Sequence, residues 1–223
     1  MRIIDVVISI LALTILVPIF AIISLILRFT GEGEVFFFQD RVGKFGTTFK
    51  VIKFVTMLKN SPNIGTGTIT AKNDSRILPF GKVLRKTKIN ELPQFLNVFI
   101  GHMSLIGPRP HAERDLKGIK LEELNTILQL KPGLSGIGSI VFRDEEQILN
   151  TFKDSRPFYD QVIAPYKASL EVWYANRRST VMDLQLIKIT LVAVLCKKCV
   201  NVYKVYPDLP KPPESLKSFL VFD

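Results

Sequence analysis

The chain has 223 residues, of which 47% are apolar, so it is not too polar to bury a core and fits one globular domain plus an accessory segment. Its net charge of +10 and pI near 9.6 point to nucleic acid, an anionic membrane surface or a phosphorylated substrate, while a mean hydropathy of +0.24 is high for a wholly soluble protein. The two cysteines, Cys196 and Cys199, sit close together on one apolar stretch, which excludes a disulfide scaffold and makes a reducing compartment the expectation.

No charge occurs between Val6 and Leu27, a run long enough to cross a hydrocarbon core, which takes about 20 helical residues. It is too long for a secretory leader, and no small-residue cleavage site follows it. Pro18 interrupts the run. Proline removes an N–H and clashes with the preceding turn. The carbonyl it frees still needs a partner in lipid, which a nearby Ser or Thr can help supply. Thr14 stands four residues earlier. Two half-helices meeting near Pro18 would enter the bilayer and return, placing Arg2, Asp5 and Arg28 at one interface. A straight or kinked span fits the composition almost as well.

Gly31-Glu32-Gly33 leads out of this segment and lacks the strand and third glycine of a dinucleotide fingerprint. Val35–Gln39 reads as a strand, Asp40–Lys44 as a turn and Thr47–Val55 as the returning strand of a hairpin. Residues Ser61–Thr70 are rich in Gly, Thr, Asn and Ser and read as a mobile loop. Ile77–Leu84 begins a helix, and Glu91–Phe99 continues the helical spacing. A loop follows at Gly107–Pro110, then a polar-faced helix over Asp115–Leu130, stopped by Lys131-Pro132-Gly133. Asp144–Tyr174 reads as helical in pieces. Asp144 is its expected cap, and Trp173 and Tyr174 are interface or core aromatics. Asp183–Val200 is an apolar helix carrying Lys188, Lys197 and Lys198, suited to lie along a membrane interface. The prolines from Pro207 to Pro213 read as an extended tail. No internal repeat occurs.

Basic residues gather at Arg41, Lys44, Lys50 and Lys53, at Lys82, Arg85, Lys86 and Lys88, and at Arg109. Each set is consistent with a solvated basic face. Together they also suit a diphosphate, whose transfer needs cations on its oxygens and usually a carboxylate to hold Mg²⁺. Glu91 is the carboxylate embedded in the most basic stretch. Pro108 and Pro110 fix φ on both sides of Arg109, which pre-orders a guanidinium fork suited to phosphate. Arg143 follows the Gly133–Gly138 loop and is a further candidate to face phosphate. Cys196-Lys197-Lys198-Cys199 has metal spacing but no second pair, so it is read as incidental.

These elements occur in an order that resembles the monotopic phosphoglycosyl transferases, bacterial enzymes that begin polysaccharide and glycoprotein glycan assembly. The resemblance runs from Arg2 to about Leu191. It rests on the apolar segment with its central Pro18, Val35-Phe36-Phe37 with Gln39–Gly43, Lys53-Phe54, Thr56-Met57 and Leu84–Thr87. It is strongest at Asn90-Glu91-Leu92-Pro93-Gln94, Asn97-Val98, Met103-Ser104-Leu105 and Gly107–Pro110, and includes Lys131–Gly136. The resemblance implies that an aspartate attacks the β-phosphate of a UDP-sugar, UMP leaves, and polyprenyl phosphate takes up the phospho-sugar. It implies Mg²⁺ on the adjacent glutamate, here Glu91; Lys53, Arg85 and Arg109, from the basic clusters, are the residues expected to hold phosphate groups. It also implies a re-entrant helix broken at Pro18, and residence on the cytoplasmic face of a bacterial inner membrane. Membrane lipid would be a partner, and downstream glycosyltransferases potential ones. The expected fold is α+β and mainly helical: a re-entrant segment over residues 1–30, a cytoplasmic domain with a β-hairpin and interfacial helices over 31–205, and the tail over 206–223.

Two positions depart from the pattern. The usual Asp-Glu pair is Asn90-Glu91, and an amide is a poor nucleophile. The arginine usual after Lys53-Phe54 is Val55. Three explanations stand: an introduced asparagine, a natural subgroup with another nucleophile or a direct displacement, or a catalytically silent relative that binds the same ligands or scaffolds other enzymes. Val55 does not follow from the first alone. No nucleic-acid-reading motif accompanies the charge, so nucleic acid is not an expected partner.

Overall fold

A computed structural model describes residues 1–61, 74–116, 118–149, 151–152, 155–196 and 201–220. The chain divides into two compact units. The smaller comprises Arg2–Asp40 and Lys50–Gly101, the larger Arg41–Phe49 and His102–Asp223 together with Met1.

In the smaller unit, the apolar run forms a single helix, α1 (Arg2–Thr30), with Pro18 inside it. The Thr14 hydroxyl, expected to serve the carbonyl freed by proline, donates instead to Ile10 O at 2.9 Å. Both ends of α1 pack within the unit. The Arg2 guanidinium donates to the Val98 and Phe99 carbonyls at the end of α3 (Gln94–Ile100), which have no partner inside that helix. Asp5 and Ser9 are buried nearby. At the other end, Ile23 and Leu27 join Phe54 and Leu84 in a core flanked by Phe20, Val35, Phe80 and Ile89. Between these ends, Ile10, Leu11, Ile15, Val17 and Ile19 are exposed. Strands β1 (Phe36–Val42) and β2 (Thr48–Phe54) pair as a hairpin, but not with the expected turn at Asp40–Lys44. Asp40, Arg41 and Val42 continue β1, and the chain reverses through a 3-10 turn at Lys44–Gly46, where Gly43 N–H donates to Thr47 O at 2.7 Å. The buried Asn97 side chain ties β2 to α3, accepting from Ile52 N–H at 3.0 Å and donating to Lys50 O at 2.7 Å.

The helical spacing from Ile77 to Phe99 is not one helix. Helix α2 (Pro79–Lys86) ends in a basic turn. Lys88 then takes a left-handed conformation (φ 60°) and leads into a 3-10 turn over Ile89–Glu91, and α3 starts only after Pro93. A left-handed non-glycine residue ends a right-handed helix, and spacing alone does not reveal it.

The larger unit contains two three-residue strands that the sequence reading missed. β3 (Ser104–Ile106) and β4 (Gly133–Ser135) pair in parallel, Ser104 opposite Gly133 and Ile106 opposite Ser135. Three residues are too few to display an alternation. The expected helix over Asp115–Leu130 shortens to α4 (Leu121–Leu128), preceded by a 3-10 turn at Glu113–Leu116. Ile119 and Ile127 pack on Ala168 of α8 (Ala164–Arg177). A short helix not expected from sequence, α5 (Ile137–Val141), follows β4. The expected helical pieces over Asp144–Tyr174 are α6 (Glu145–Leu149), α7 (Ser155–Phe158), a π-helical turn (Tyr159–Ile163) and α8. Helix α9 (Thr180–Leu195) is capped by the Ser179 side chain, which accepts from Met182 N–H.

Trp173 and Tyr174 are core residues, 6% and 0% exposed. The proline-rich end does not run free. Tyr166 donates to Pro210 O at 2.7 Å, Trp173 donates to Asp208 at 3.1 Å, and Leu209, Leu216 and Leu220 are buried. Short helices α10 (Val202–Val205) and α11 (Glu214–Lys217) frame this segment. Composition marks proline-rich chain as extended, but Leu209 between the prolines, and Leu216 and Leu220 after them, give the segment an apolar side to bury. Most of the Ser61–Thr70 loop, and Lys197, Lys198 and Cys199, lie outside the described residues.

Candidate active site

The smaller unit brings Lys53 and Glu91 together. Lys53 stands on β2 and donates from Nζ to Glu91 Oε1 at 2.9 Å, with both side chains largely covered. Glu91 closes the 3-10 turn that Lys88 initiates. The preceding residue, Asn90, is 8% exposed, and its Oδ1 is buried with no hydrogen-bond partner among the described residues. An unmet buried acceptor of this kind costs about 1–3 kcal/mol. Native interiors rarely keep one without a function or an absent partner. Arg85, in the last turn of α2, leans on Met57 with Nη1 4.0 Å from Sδ. Lys82, Lys86 and Lys88 are exposed around it. Val55, where the resemblance expects arginine, is 7% exposed, and its N–H donates to Val35 O. A long cation there would have to leave the core or be buried at high cost.

Glu91 supplies the hard carboxylate oxygen that Mg²⁺ prefers. That ion usually takes one or two carboxylates and completes its shell with water and substrate phosphate. Among the described residues there is no group of three or more His, Cys, Asp or Glu side chains suited to a metal.

In the larger unit, Arg109 sits on a rigidly mounted loop. Gly133 N–H donates to Pro108 O at 2.8 Å, Gly107 N–H to Ser135 O at 3.0 Å, and Val42 N–H to His111 O at 2.9 Å. The loop lies so close to β4 that a Cβ on Gly107 would meet Lys131 O at 2.3 Å, and one on Gly133 would meet Gly107 N at 2.1 Å. With its backbone fixed, Arg109 is exposed. Behind it, Lys167 is buried and paired with Glu145 at 2.7 Å. Burial holds the Lys167 ammonium below the usual lysine range, and Glu145 opposes that shift. Burial, then Lys167, Arg109 and Arg41, push His111 down to about 3, so it is neutral and a hydrogen-bonding group at physiological pH. Arg41 itself lies 3.9 Å from Asp115.

The remaining phosphate candidate, Arg143, donates from Nη1 to the Ala193 carbonyl near the end of α9, a cation placed on the carbonyl end of a helix. The sequence reading missed Glu171, which is 2% exposed on α8. Its one signal was an acid four residues after Lys167 within an otherwise apolar helical stretch.

The family model for bacterial sugar transferases matches residues 1–197. The chain is similar to the exopolysaccharide production protein PSS of Rhizobium leguminosarum bv. phaseoli, with 32% identity over 88% of this chain and 95% of that protein. It is 34% identical to the UDP-glucose:undecaprenyl-phosphate glucose-1-phosphate transferase of Klebsiella pneumoniae, over 85% of this chain and 39% of that protein. It is 37% identical to the protein of the same name from Escherichia coli (strain K12), over 61% of this chain and 30% of that protein.

Proposed function

The chain belongs to the bacterial sugar transferase family, and from that premise we propose that it transfers a phospho-sugar from a UDP-sugar to undecaprenyl phosphate. In this transfer a phosphate oxygen of the lipid ends bonded to the β-phosphorus of the donor. The bond from that phosphorus to the bridging oxygen breaks, and UMP leaves with that oxygen. Lys53 and Arg85 in the smaller unit, and separately Arg109 in the larger, each offer a cation to phosphate oxygens, whose charge must be neutralised as the bond breaks. Glu91 would hold Mg²⁺, which when bound supplies further neutralisation of the diphosphate.

The observation that carries this reading is the Lys53–Glu91 pair beside Asn90, whose buried Oδ1 has no partner among the described residues. That is the arrangement of a site made to receive a cation or a donor group. In the absence of phosphate, Lys53 and Glu91 neutralise each other, and an incoming phosphate competes for the ammonium.

The membrane reading is that α1 is re-entrant and that both of its ends lie at the cytoplasmic face of the inner membrane, among the lipid headgroups. It is supported by helix length. Twenty-nine residues would measure about 43 Å if straight, at 1.5 Å each, yet Arg2 and Leu27 both pack in one small unit while the apolar middle is exposed. The outward side of α9, with Val181, Leu184, Leu191 and Val194 exposed, supports an interfacial position for that helix.

Asn90 also favours a second reading, a ligand-binding relative without turnover, because its amide cannot form the covalent intermediate the resemblance implies. UMP release from UDP-sugars in the presence of undecaprenyl phosphate separates the two. We expect slow release from the chain as it stands, and a rise of several orders of magnitude in Asn90→Asp, with a phospho-sugar adduct on the new aspartate visible by mass spectrometry. Equal, brisk release from both without an adduct would replace the covalent route by direct attack of the lipid phosphate. Release from neither would favour the binding role, with Val55 the next position to restore.

A further inference from the structure

We infer that Glu171 is a positioning residue for the Arg109 guanidinium, holding the main chain of the Pro108-Arg109-Pro110 loop from a buried seat on α8. The inference rests on the reading of Arg109 as a phosphate ligand.

The Glu171 carboxyl accepts backbone N–H groups from both Arg109 and Gly138. Arg109 lies on the loop after β3 and Gly138 in the first turn of α5, after β4, and one carboxyl therefore fastens both. The fit leaves no slack: a Cβ on Gly138 would stand 2.5 Å from Glu171 Oε1. With Pro108 O taken by Gly133 and His111 O by Val42, the Arg109 N–H is the anchor nearest the side chain, and Glu171 is what holds it. Remove that anchor and the peptide between the two prolines regains freedom. The guanidinium then samples directions unsuited to phosphate, and the loss is paid at binding as lost preorganisation.

The surroundings favour this role over a simple ion pair. Lys167, one turn earlier on the same helix, is committed to Glu145 at 2.7 Å. The second oxygen, Glu171 Oε2, is buried without a partner among the described residues. A fully buried acid with an unmet oxygen is an expensive way to fill space, since an apolar side chain would pack there at no polar cost. Its contribution lies in the two N–H groups it fixes.

The test is a double-mutant cycle on the full chain in detergent, read as affinity for UDP, a probe that carries the diphosphate without committing to a sugar. Arg109→Ala should weaken UDP binding. Glu171→Ala should weaken it about tenfold, the scale of a lost buried hydrogen-bonding group. In the Arg109→Ala background, Glu171→Ala should change UDP affinity by less than about twofold, because it acts only through the arginine. Glu171→Gln should keep near-normal affinity, its amide oxygen accepting the same two N–H groups.

If Arg109→Ala leaves UDP affinity unchanged, the phosphate reading of Arg109 fails and this inference fails with it. Should Arg109→Ala weaken binding while the two losses simply add, the positioning role alone is overturned and Glu171 is only a packing residue. Gly138→Ala gives the same readout where Glu171→Ala does not fold. It pushes the carboxyl off its seat and should lower UDP affinity in an Arg109-dependent way. No loss, or an additive one, counts against the inference.

Discussion

At the scale of single residues, the two arginines nominated for phosphate from loop positions differ in what the fold gives them. Arg109 is exposed on a backbone fastened through Pro108, Arg109 and His111, whereas Arg143 has one guanidinium nitrogen on the Ala193 carbonyl. Arg109→Lys keeps the charge but loses the planar fork. It should reduce UDP affinity by about 1.5–3 kcal/mol, the range for a charged hydrogen bond, as measured by calorimetric titration. Arg143→Ala should leave that affinity within about twofold and lower Tm instead, by the few degrees that about 1 kcal/mol represents in a domain of this size. Reversed results would exchange the two roles.

At the scale of elements, α1 is the part whose behaviour the residues constrain most and whose path they constrain least. Any apolar run of this length can enter a bilayer. The Arg2 hydrogen bonds and the burial of Asp5, Ser9, Ile23 and Leu27 place both ends of α1 in one unit. With Cys196 and Cys199 replaced by Ser, single cysteines placed before Ile3 and at Glu32 should be labelled from the same side of intact cells by a membrane-impermeant maleimide. Labelling from opposite sides would establish a span. Pro18→Ala restores the backbone N–H that proline lacks and favours a straight helix, so it should shift part of the population toward opposite-side labelling. Helix α9 shows a related constraint. Met182, Leu186, Ile189 and Ala193 are buried while Val181, Leu184, Leu191 and Val194 are exposed. Both faces are apolar, and the helix therefore has little amphipathic signature by which sequence could assign its sides.

At the scale of the molecule, the larger unit carries two buried titrating groups with opposite demands, near Lys167, Glu145, Arg109, Arg41 and Tyr174. Burial pushes Glu171 up to about 8 from 4.5, against the pull of Lys167 and the two N–H groups. The folded state then binds more protons than the unfolded chain from about pH 4.5 to 8, and stability falls as pH rises through that window. His111, pushed down to about 3 from 6.5, binds fewer protons folded than unfolded. Its contribution is present in full above pH 6.5 and is lost as pH falls toward 3. Between 4.5 and 6.5 the two slopes oppose each other, so thermal stability should be flattest there and decline on both sides. Tm followed from pH 3.5 to 8.5 tests this. Glu171→Gln should flatten the alkaline limb and leave stability rising with pH from 4.5 to 6.5, whereas His111→Gln should soften the acid limb and leave stability falling over that range. An unchanged alkaline limb in Glu171→Gln would show that another group controls it.

What the sequence determined by itself was local or additive. The apolar run of α1, the pairing of two strands in a hairpin, though not its turn at Lys44–Gly46, the stop at Lys131-Pro132-Gly133 and the stiff Pro108-Arg109-Pro110 turn follow from hydropathy, β-propensity and restricted φ. Asn90 and Val55 were legible as departures because each changes the chemistry of one position. Tertiary structure alone decided matters that depend on residues distant in the chain. It placed Lys53 against Glu91, 38 positions away, and left Asn90 Oδ1 without a partner among the described residues. It joined β3 to β4 across the intervening helix and folded the leucines of the proline-rich segment into the larger unit. It also seated Glu171 beneath Arg109. Burial and hydrogen-bond satisfaction belong to the packed whole, so a buried acid under a loop carries no local pattern that could announce it.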